Sequence, residues 1–297
     1  MRTSPILLFG ANGQLGFELQ RSLSVVAPVV ALDHAKCDVA DPLAVGRAID
    51  ETRPAFIVNA AAYTAVDKAE QAFELAQSVN AQAPEVMASH GARVGARLIH
   101  FSTDYVFDGS ATGPYLETDR PNPQSVYGTT KLQGEVAVLA ANAGHMVLRT
   151  SWVAGAHGSN FAKTIMRLAR ERDNLRIVSD QIGAPTTAAM LADVTAQILT
   201  KDLAREGAGG LYHVTASGST SWYGYARHIV EWCEQRGISL KTASSAIQPI
   251  TTEDYPLPAK RPKNSRLDTA RIRTAFDLTL PAWQQSLDLL LEQLVQE

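Results

Sequence analysis

Ile6-Leu7-Leu8-Phe9-Gly10-Ala11-Asn12-Gly13-Gln14-Leu15-Gly16-Phe17-Glu18-Leu19-Gln20-Arg21-Ser22-Leu23 is the stretch from which the fold of this chain can be read. Ile6 to Phe9 is an unbroken apolar run, as expected of a strand buried on both faces of a parallel sheet. Leu15, Leu19 and Leu23 recur at helical spacing. Three glycines lie between the strand and the helix. Glycine there lets the backbone turn tightly and come close to a pyrophosphate, and the helix N-terminus offers free N–H groups and partial positive charge. The spacing is G-x-x-G-x-x-G. A lone glycine run can equally be a structural turn; a strand before it and a helix after it make it a nucleotide-binding fingerprint.

Working outward, Val29 to Asp33 reads as a second strand ending in an acid. Asp33 lies 17 residues beyond Gly16, close to where a carboxylate meets the adenosine ribose hydroxyls. That favours NADH, while His34 and Lys36 beside it can soften repulsion of a 2′-phosphate, so NADPH stays open. Cys37-Asp38-Val39 reads as a short strand or turn near the adenine. Asp41-Pro42 is an N-cap and first helical residue. Ala55 to Asn59 is a third strand. Ala60-Ala61-Ala62 after it are small enough either for a ligand to lie against the backbone or for simple close packing. Ala65 to Ala92 has a helical pattern, with a break expected near Pro84. Leu98 to Phe101 is a fourth strand, emptying into Ser102 to Gly109. Thr103 there is suited to hydrogen-bond a reacting carbonyl oxygen, or to cap the following turn. Met146 to Thr150 is a fifth strand. This alternation predicts an α/β fold, a Rossmann-type doubly wound parallel sheet.

Tyr127-Gly128-Thr129-Thr130-Lys131 carries the chemistry. In a helix starting near Ser125, Tyr127 and Lys131 leave the same face one turn apart. An ammonium beside a phenol favours the phenolate, which lowers the tyrosine pKa toward neutrality and makes it a proton donor and acceptor.

After Ser151 the pattern changes. Helices are expected at Phe161–Arg172, 188–199 and 221–236, with a strand at Leu211–Val214 and an extended stretch from Ser244 to Asn264. We read residues 1–150 as a dinucleotide-binding domain and 151–297 as mainly a smaller C-terminal α/β substrate-binding lobe, some of whose segments return to the first domain. Lys260, Arg261 and Lys263 are either a solvated cluster or a clamp on a ligand phosphate.

The 297 residues suffice for a large core. A net charge of −3 and no concentrated basic patch exclude a nucleic-acid surface. Apolar runs are strand-sized, so no membrane span or signal core is expected. Cys37 and Cys233 are far apart and outside metal spacing, which suits a reducing compartment. The expectation is a cytoplasmic protein.

Taken together, the Gly10–Gly16 turn, Asn59 to Asp67, Ser102 to Gly109, Val126 to Glu135, Arg149 to Val153, Asp180 to Thr186, Ser221-Trp222-Tyr223, Arg261-Pro262 and Ser265 to Asp268 resemble the extended short-chain dehydrogenase/reductases. The likeness spans nearly the whole chain. Within that family it is closely similar to the branch that reduces dTDP-4-dehydro-L-rhamnose to dTDP-L-rhamnose with NADH or NADPH. The resemblance implies that Tyr127 donates the proton, Lys131 tunes it and holds the nicotinamide ribose, and Thr103 polarises the carbonyl. It implies substrate contacts at Thr103, Asp104, Trp152 and Arg261. It places Gly10, Gly13, Gln14 and Leu15 on the cofactor, with Asp33, Asp38, Val39, Ala60, Ala61, Ala62 and Lys131.

Relatives read Trp-Val-Tyr-Gly where this chain has Trp152-Val153-Ala154-Gly155, which alters a pocket wall. Some relatives hold Mg2+ through carboxylates at a dimer interface. Glu18 matches one such position, but Ala189 and Gln293 stand where others are acidic, so no metal site is expected here. A homodimer remains an open arrangement. Two other readings fit parts of the pattern. A 4,6-dehydratase or epimerase shares the Tyr-x-x-x-Lys pair, but a dehydratase commonly has a second acid after Asp104, where this chain has Tyr105. A non-catalytic NADP-binding regulatory subunit has no need of the intact Tyr-Lys-Thr set.

Overall fold

The computed structural model describes residues 4–202 and 208–296. Five parallel strands follow the expected order: β1 Ile6–Phe9, β2 Val29–Leu32, β3 Phe56–Asn59, β4 Arg97–Thr103 and β5 Met146–Thr150. A sixth, Gly210–His213, comes from far along the chain and pairs parallel with β5. The spatial order is sixth strand, β5, β4, β3, β1, β2. Each neighbouring pair is parallel.

β1 shows why its apolar run is unbroken. Ile6 and Leu8 point into one core with Leu19 and Leu23 of helix α1 (Gln14–Ser24). Leu7 and Phe9 point into a second core with Val45 and Ile49 of helix α2 (Pro42–Thr52). Successive strand residues face opposite ways, so a strand covered by helices on both faces needs apolar side chains throughout. The helix Ala188–Asp202 packs beside α1, so the later part of the chain helps cover the first face.

Helix starts are local and legible. Asp41 caps α2, its carboxylate accepting from Leu43 N at 2.9 Å and Ala44 N at 3.2 Å, with Pro42 as first residue. Ser125 caps the helix Val126–Ala141, its hydroxyl accepting from Gly128 N at 3.1 Å.

Cys37-Asp38-Val39, read as strand or turn, is a turn, in which Asp38 accepts from Ala40 N. Two other local expectations are corrected. The helical stretch after Ala65 breaks between Val66–Ala69 and Phe73–Gln77, not at Pro84. Before Pro84 the chain widens into a π-helical turn, Ser78–Gln82, and the helix Ala83–Val94 continues through the proline. Proline brings no N–H, so the widened turn accommodates the missing bond without ending the helix. The Ser244–Asn264 stretch is not wholly extended: it contains a 3-10 turn at Ser244–Ala246 and a strand, Ile247–Ile250, parallel to Leu175–Val178.

Candidate active site

The glycine turn divides its work among three positions. Gly10 has φ +81°, and a Cβ there would sit 2.6 Å from Ala61 N. A Cβ on Gly16 would meet Gly10 O at 2.0 Å. Both are demanded by the fold. A Cβ on Gly13 would be 3.3 Å from Gly10 O, a contact that a small shift relieves. Gly13 is also the N-cap of α1 and has no side chain to cap the helix. The first N–H groups of α1 therefore have no side-chain cap and suit an anionic ligand.

That turn forms one wall of a cleft of about 680 Å3 at the carboxyl ends of the strands. Gly10, Gly13, Gln14 and Leu15 line it, with Asp33, Asp38 and Val39, Ala60 to Ala62, and Tyr127 and Lys131. All the residues expected along the cofactor thus share one cleft. Asp33 accepts from Asn12 Nδ2 at 3.2 Å and from Lys36 N at 3.0 Å. Lys36 sends its own ammonium back to Ala31 O, 3.3 Å away.

The sequence did not point to two further parts of the wall, nor to a brace behind it. Ser102 Oγ and Thr150 Oγ1 line the cleft, buried and without a hydrogen-bond partner. Two orphaned hydroxyls at the end of adjacent strands fit a polar ligand group. Gly158 and Ser159 also line it, on a loop held by Gln14, whose Oε1 accepts from Gly155 N and Asn160 Nδ2, both at 3.0 Å. Asn80, fully buried, accepts from Tyr63 N at 2.9 Å and donates to Thr130 Oγ1 at 3.2 Å, tying the Tyr127 helix to the strand-end segment.

Tyr127 is half-buried, edge-on to Tyr105 with ring centroids 5.5 Å apart. Burial pushes its phenol up to about 12; the Thr103 hydroxyl, in hydrogen-bonding contact, pulls it partly back. Lys131 is 2% exposed, and burial brings its ammonium down to about 8. This corrects the expected tuning of the pair. Lys131 Nζ donates to Phe101 O at 2.6 Å, and the lysine releases its proton before the tyrosine does. Burial thus raises the Tyr127 phenol rather than leaving it lowered, and draws the Lys131 ammonium down.

Thr103 caps the turn after β4 and lies beside Tyr127, though it does not line the cleft. Its Oγ1 accepts from Tyr105 N at 3.1 Å and donates to Asp104 Oδ1 at 3.1 Å. Asp104 is 2% exposed, and burial pushes its carboxyl up to about 6 against hydrogen bonds from Ser265 and Thr103.

A family model described as the RmlD substrate binding domain matches residues 3–296. The dTDP-4-dehydrorhamnose reductase of Escherichia coli (strain K12) is 47% identical over 293 residues, 97% of each chain. The chain belongs to the dTDP-4-dehydrorhamnose reductase family.

Solved members of this reductase family share its shape. The Clostridium acetobutylicum structure superposes with a TM-score of 0.89 at 40% identity, covering 99% of this chain and 100% of that one. The Bacillus anthracis reductase, determined in complex with NADP, gives 0.88 at 34% identity, covering 98% and 99%.

Against that family, the expected substrate residues are dispersed. Trp152 is outside the cleft wall. It has φ +50° and stacks on Trp222, centroids 3.6 Å apart, over Gly183, where a Cβ would come within 2.5 Å of its ring. Arg261 lines a separate cavity of about 480 Å3 with Lys260 and Lys263. The expected phosphate clamp is largely committed within the chain: Arg261 grips Asp67 at 2.7 and 3.0 Å, and Lys263 reaches Asp180 at 3.1 Å and Glu253 at 3.0 Å. Glu18 lines a third cavity with Ala189 and Gln293 and pairs with Arg21 at 3.5 Å. Among the described residues no group of three or more His, Cys, Asp or Glu side chains could hold a metal ion, and no helix is long and apolar enough to cross a membrane.

Proposed function

We propose that this protein reduces the 4-keto group of dTDP-4-dehydro-L-rhamnose to give dTDP-L-rhamnose, using NADPH or NADH. The observation that carries this is one cleft walled by the glycine turn at one end and by Tyr127 and Lys131 at the other. The same family includes a relative solved with NADP. The glycine turn, Asp33 and the Ala60–Ala62 edge would hold the dinucleotide, which supplies the hydride when bound.

The chain's own residues manage the proton. As charge builds on the keto oxygen, Tyr127 donates its phenolic proton and Thr103 hydrogen-bonds the same oxygen. A phenol that keeps its proton up to about 12 is in the donating form at every physiological pH. Lys131, still charged below about 8, meets the phenolate only once the proton has left, and so favours the later part of the step. Asp104, behind Thr103, would hold that hydroxyl in place. Arg261 and Trp152 lie farther out, where they would shape the sugar-nucleotide end of the site.

We further read residues 1–150 as the dinucleotide-binding domain and 151–297 as the substrate lobe, with Ala188–Asp202 and Gly210–His213 packed onto the first domain. The place of action is read as the cytoplasm, where nucleotide sugars for surface polysaccharide are made.

The test is NADPH and NADH oxidation, measured in parallel, with dTDP-4-dehydro-L-rhamnose. One cofactor oxidised per sugar reduced supports the assignment. Turnover of dTDP-4-dehydro-6-deoxyglucose without added reduced cofactor would place the chain with the dehydratases or epimerases instead.

A further inference from the structure

His100 is a buried titratable group that the reduction as described does not use. It sits on β4, fully buried, between Asn59 of β3 and Lys131. Its Nδ1 is 3.0 Å from Asn59 Nδ2, and its Nε2 is 3.2 Å from Lys131 Nζ. The direction of this chain of contacts is set at its far end. Ala61 N–H, a donor that cannot reverse, bonds Asn59 Oδ1 at 3.0 Å. The Asn59 oxygen is therefore turned to Ala61, and its NH2 is turned to His100. Nδ1 must accept. Burial keeps the ring neutral, so its one proton lies on Nε2, aimed at Lys131.

An N–H aimed at an ammonium is a donor facing a donor. Aimed at a free amine, it is a hydrogen bond, with Nζ still able to donate to Phe101 O. We propose that His100, oriented by Asn59, is a positioning residue that biases Lys131 toward its amine form, so that the lysine yields its proton more readily than burial alone would make it. The proposal rests on the assignment of Tyr127 and Lys131 above. Its use there is in resetting the site: Lys131 Nζ–H breaks as the Tyr127 phenolate O–H forms, the resulting amine accepts from His100, and the one H+ that the reduction consumes from bulk solvent later restores the ammonium.

The surrounding charges do not supply this bias. On its own helix Lys131 has Tyr127 one turn before and Glu135 one turn after, and the Glu135 charge raises the lysine pKa. Glu135 is held by Arg149 of β5. Asp104 faces Tyr127. Asn59 carries no charge.

The experiment is titration of the Lys131 ε-methylene by NMR in the cofactor-free protein, its signal assigned by its disappearance in Lys131→Arg. Burial sets a value of about 8, and the parent protein is expected to titrate no higher than that. His100→Met removes the N–H and should raise that value by about one unit, a tenfold change in the ammonium-to-amine ratio. His100→Gln should restore the parental value, because its oxygen can accept from Asn59 while its NH2 still faces Lys131. Asn59→Asp, nearly isosteric, keeps the Ala61 bond and accepts from Nδ1–H, so the ring presents a lone pair to Lys131. It should raise the value further, and lose most of that rise in the His100→Met background. Parental titration in both His100→Met and Asn59→Asp would overturn the proposal. Because this readout needs no turnover, it stands apart from a failure of the reductase assignment, which the oxidation assay detects.

Discussion

The Lys131 ammonium donates to the carbonyl of Phe101, 2.6 Å away, across the gap between the Tyr127 helix and β4. The pair is thus braced against the sheet, with burial holding Lys131 at about 8 and Tyr127 at about 12. Reduction should lose kcat/KM as pH rises through about 8, where Lys131 loses the charge that favours the departing phenolate. No loss should come from Tyr127 ionisation below about 12. A pH–rate profile checks this, and the limb near 8 should be absent in Lys131→Met.

The glycine turn predicts a split between fold and ligand. Gly16→Ala puts a methyl 2.0 Å from Gly10 O, and should leave little folded protein. Gly13→Ala meets only a 3.3 Å contact. It should keep its Tm within about 3 °C of the parent, a shift of under about 1 kcal/mol, while weakening cofactor binding at least tenfold. Differential scanning fluorimetry and cofactor titration separate the two effects.

Arg149 and Glu135 form a bidentate pair at 2.6 and 2.9 Å, both about 2% exposed, with the guanidinium 5.0 Å from the Phe107 ring centroid. Removing one partner strands a buried charge. Arg149→Met should destabilise by about 3–5 kcal/mol, and Arg149→Met with Glu135→Gln by clearly less. Urea denaturation of the two variants gives the comparison.

Asp104 offers a stability test with a definite sign. Its folded carboxyl titrates at about 6 against 3.8 for an unperturbed one. The folded state therefore holds a proton the unfolded chain has lost, and the stability this confers disappears as pH rises through about 6. Its ceiling is on the order of 3 kcal/mol. Asp104→Asn cannot ionise. Its Tm relative to the parent should be more favourable at pH 8 than at pH 4.5, and an equal difference at both would contradict the burial argument.

The framework was legible because it is written in local patterns. Ile6–Phe9 and Met146–Thr150 match the observed strands to the residue, and Asp41 and Ser125 stand at their helix starts with side chains suited to capping. The cofactor wall followed, since Gly10, Asp33 and Ala60 sit at strand ends. What sequence could not show was pairing across the fold. Arg261 has Asp67 as a partner 194 positions away, and Trp152 has Trp222, so neither is where a local reading put it. Asn80 and His100 looked like ordinary residues of a helix and a strand. For Asn80 the local pattern held no signal, since its side chain acts on Tyr63 and Thr130, 17 and 50 positions away.

The central claim is that the Tyr127 phenol delivers the proton. Tyr127→Phe, assayed by steady-state reduction of dTDP-4-dehydro-L-rhamnose alongside cofactor titration, tests it directly. The expected result is a fall in kcat of about 10²–10⁴-fold with cofactor Kd within about twofold of the parent. Reduction at the parental rate by that variant would contradict the assignment.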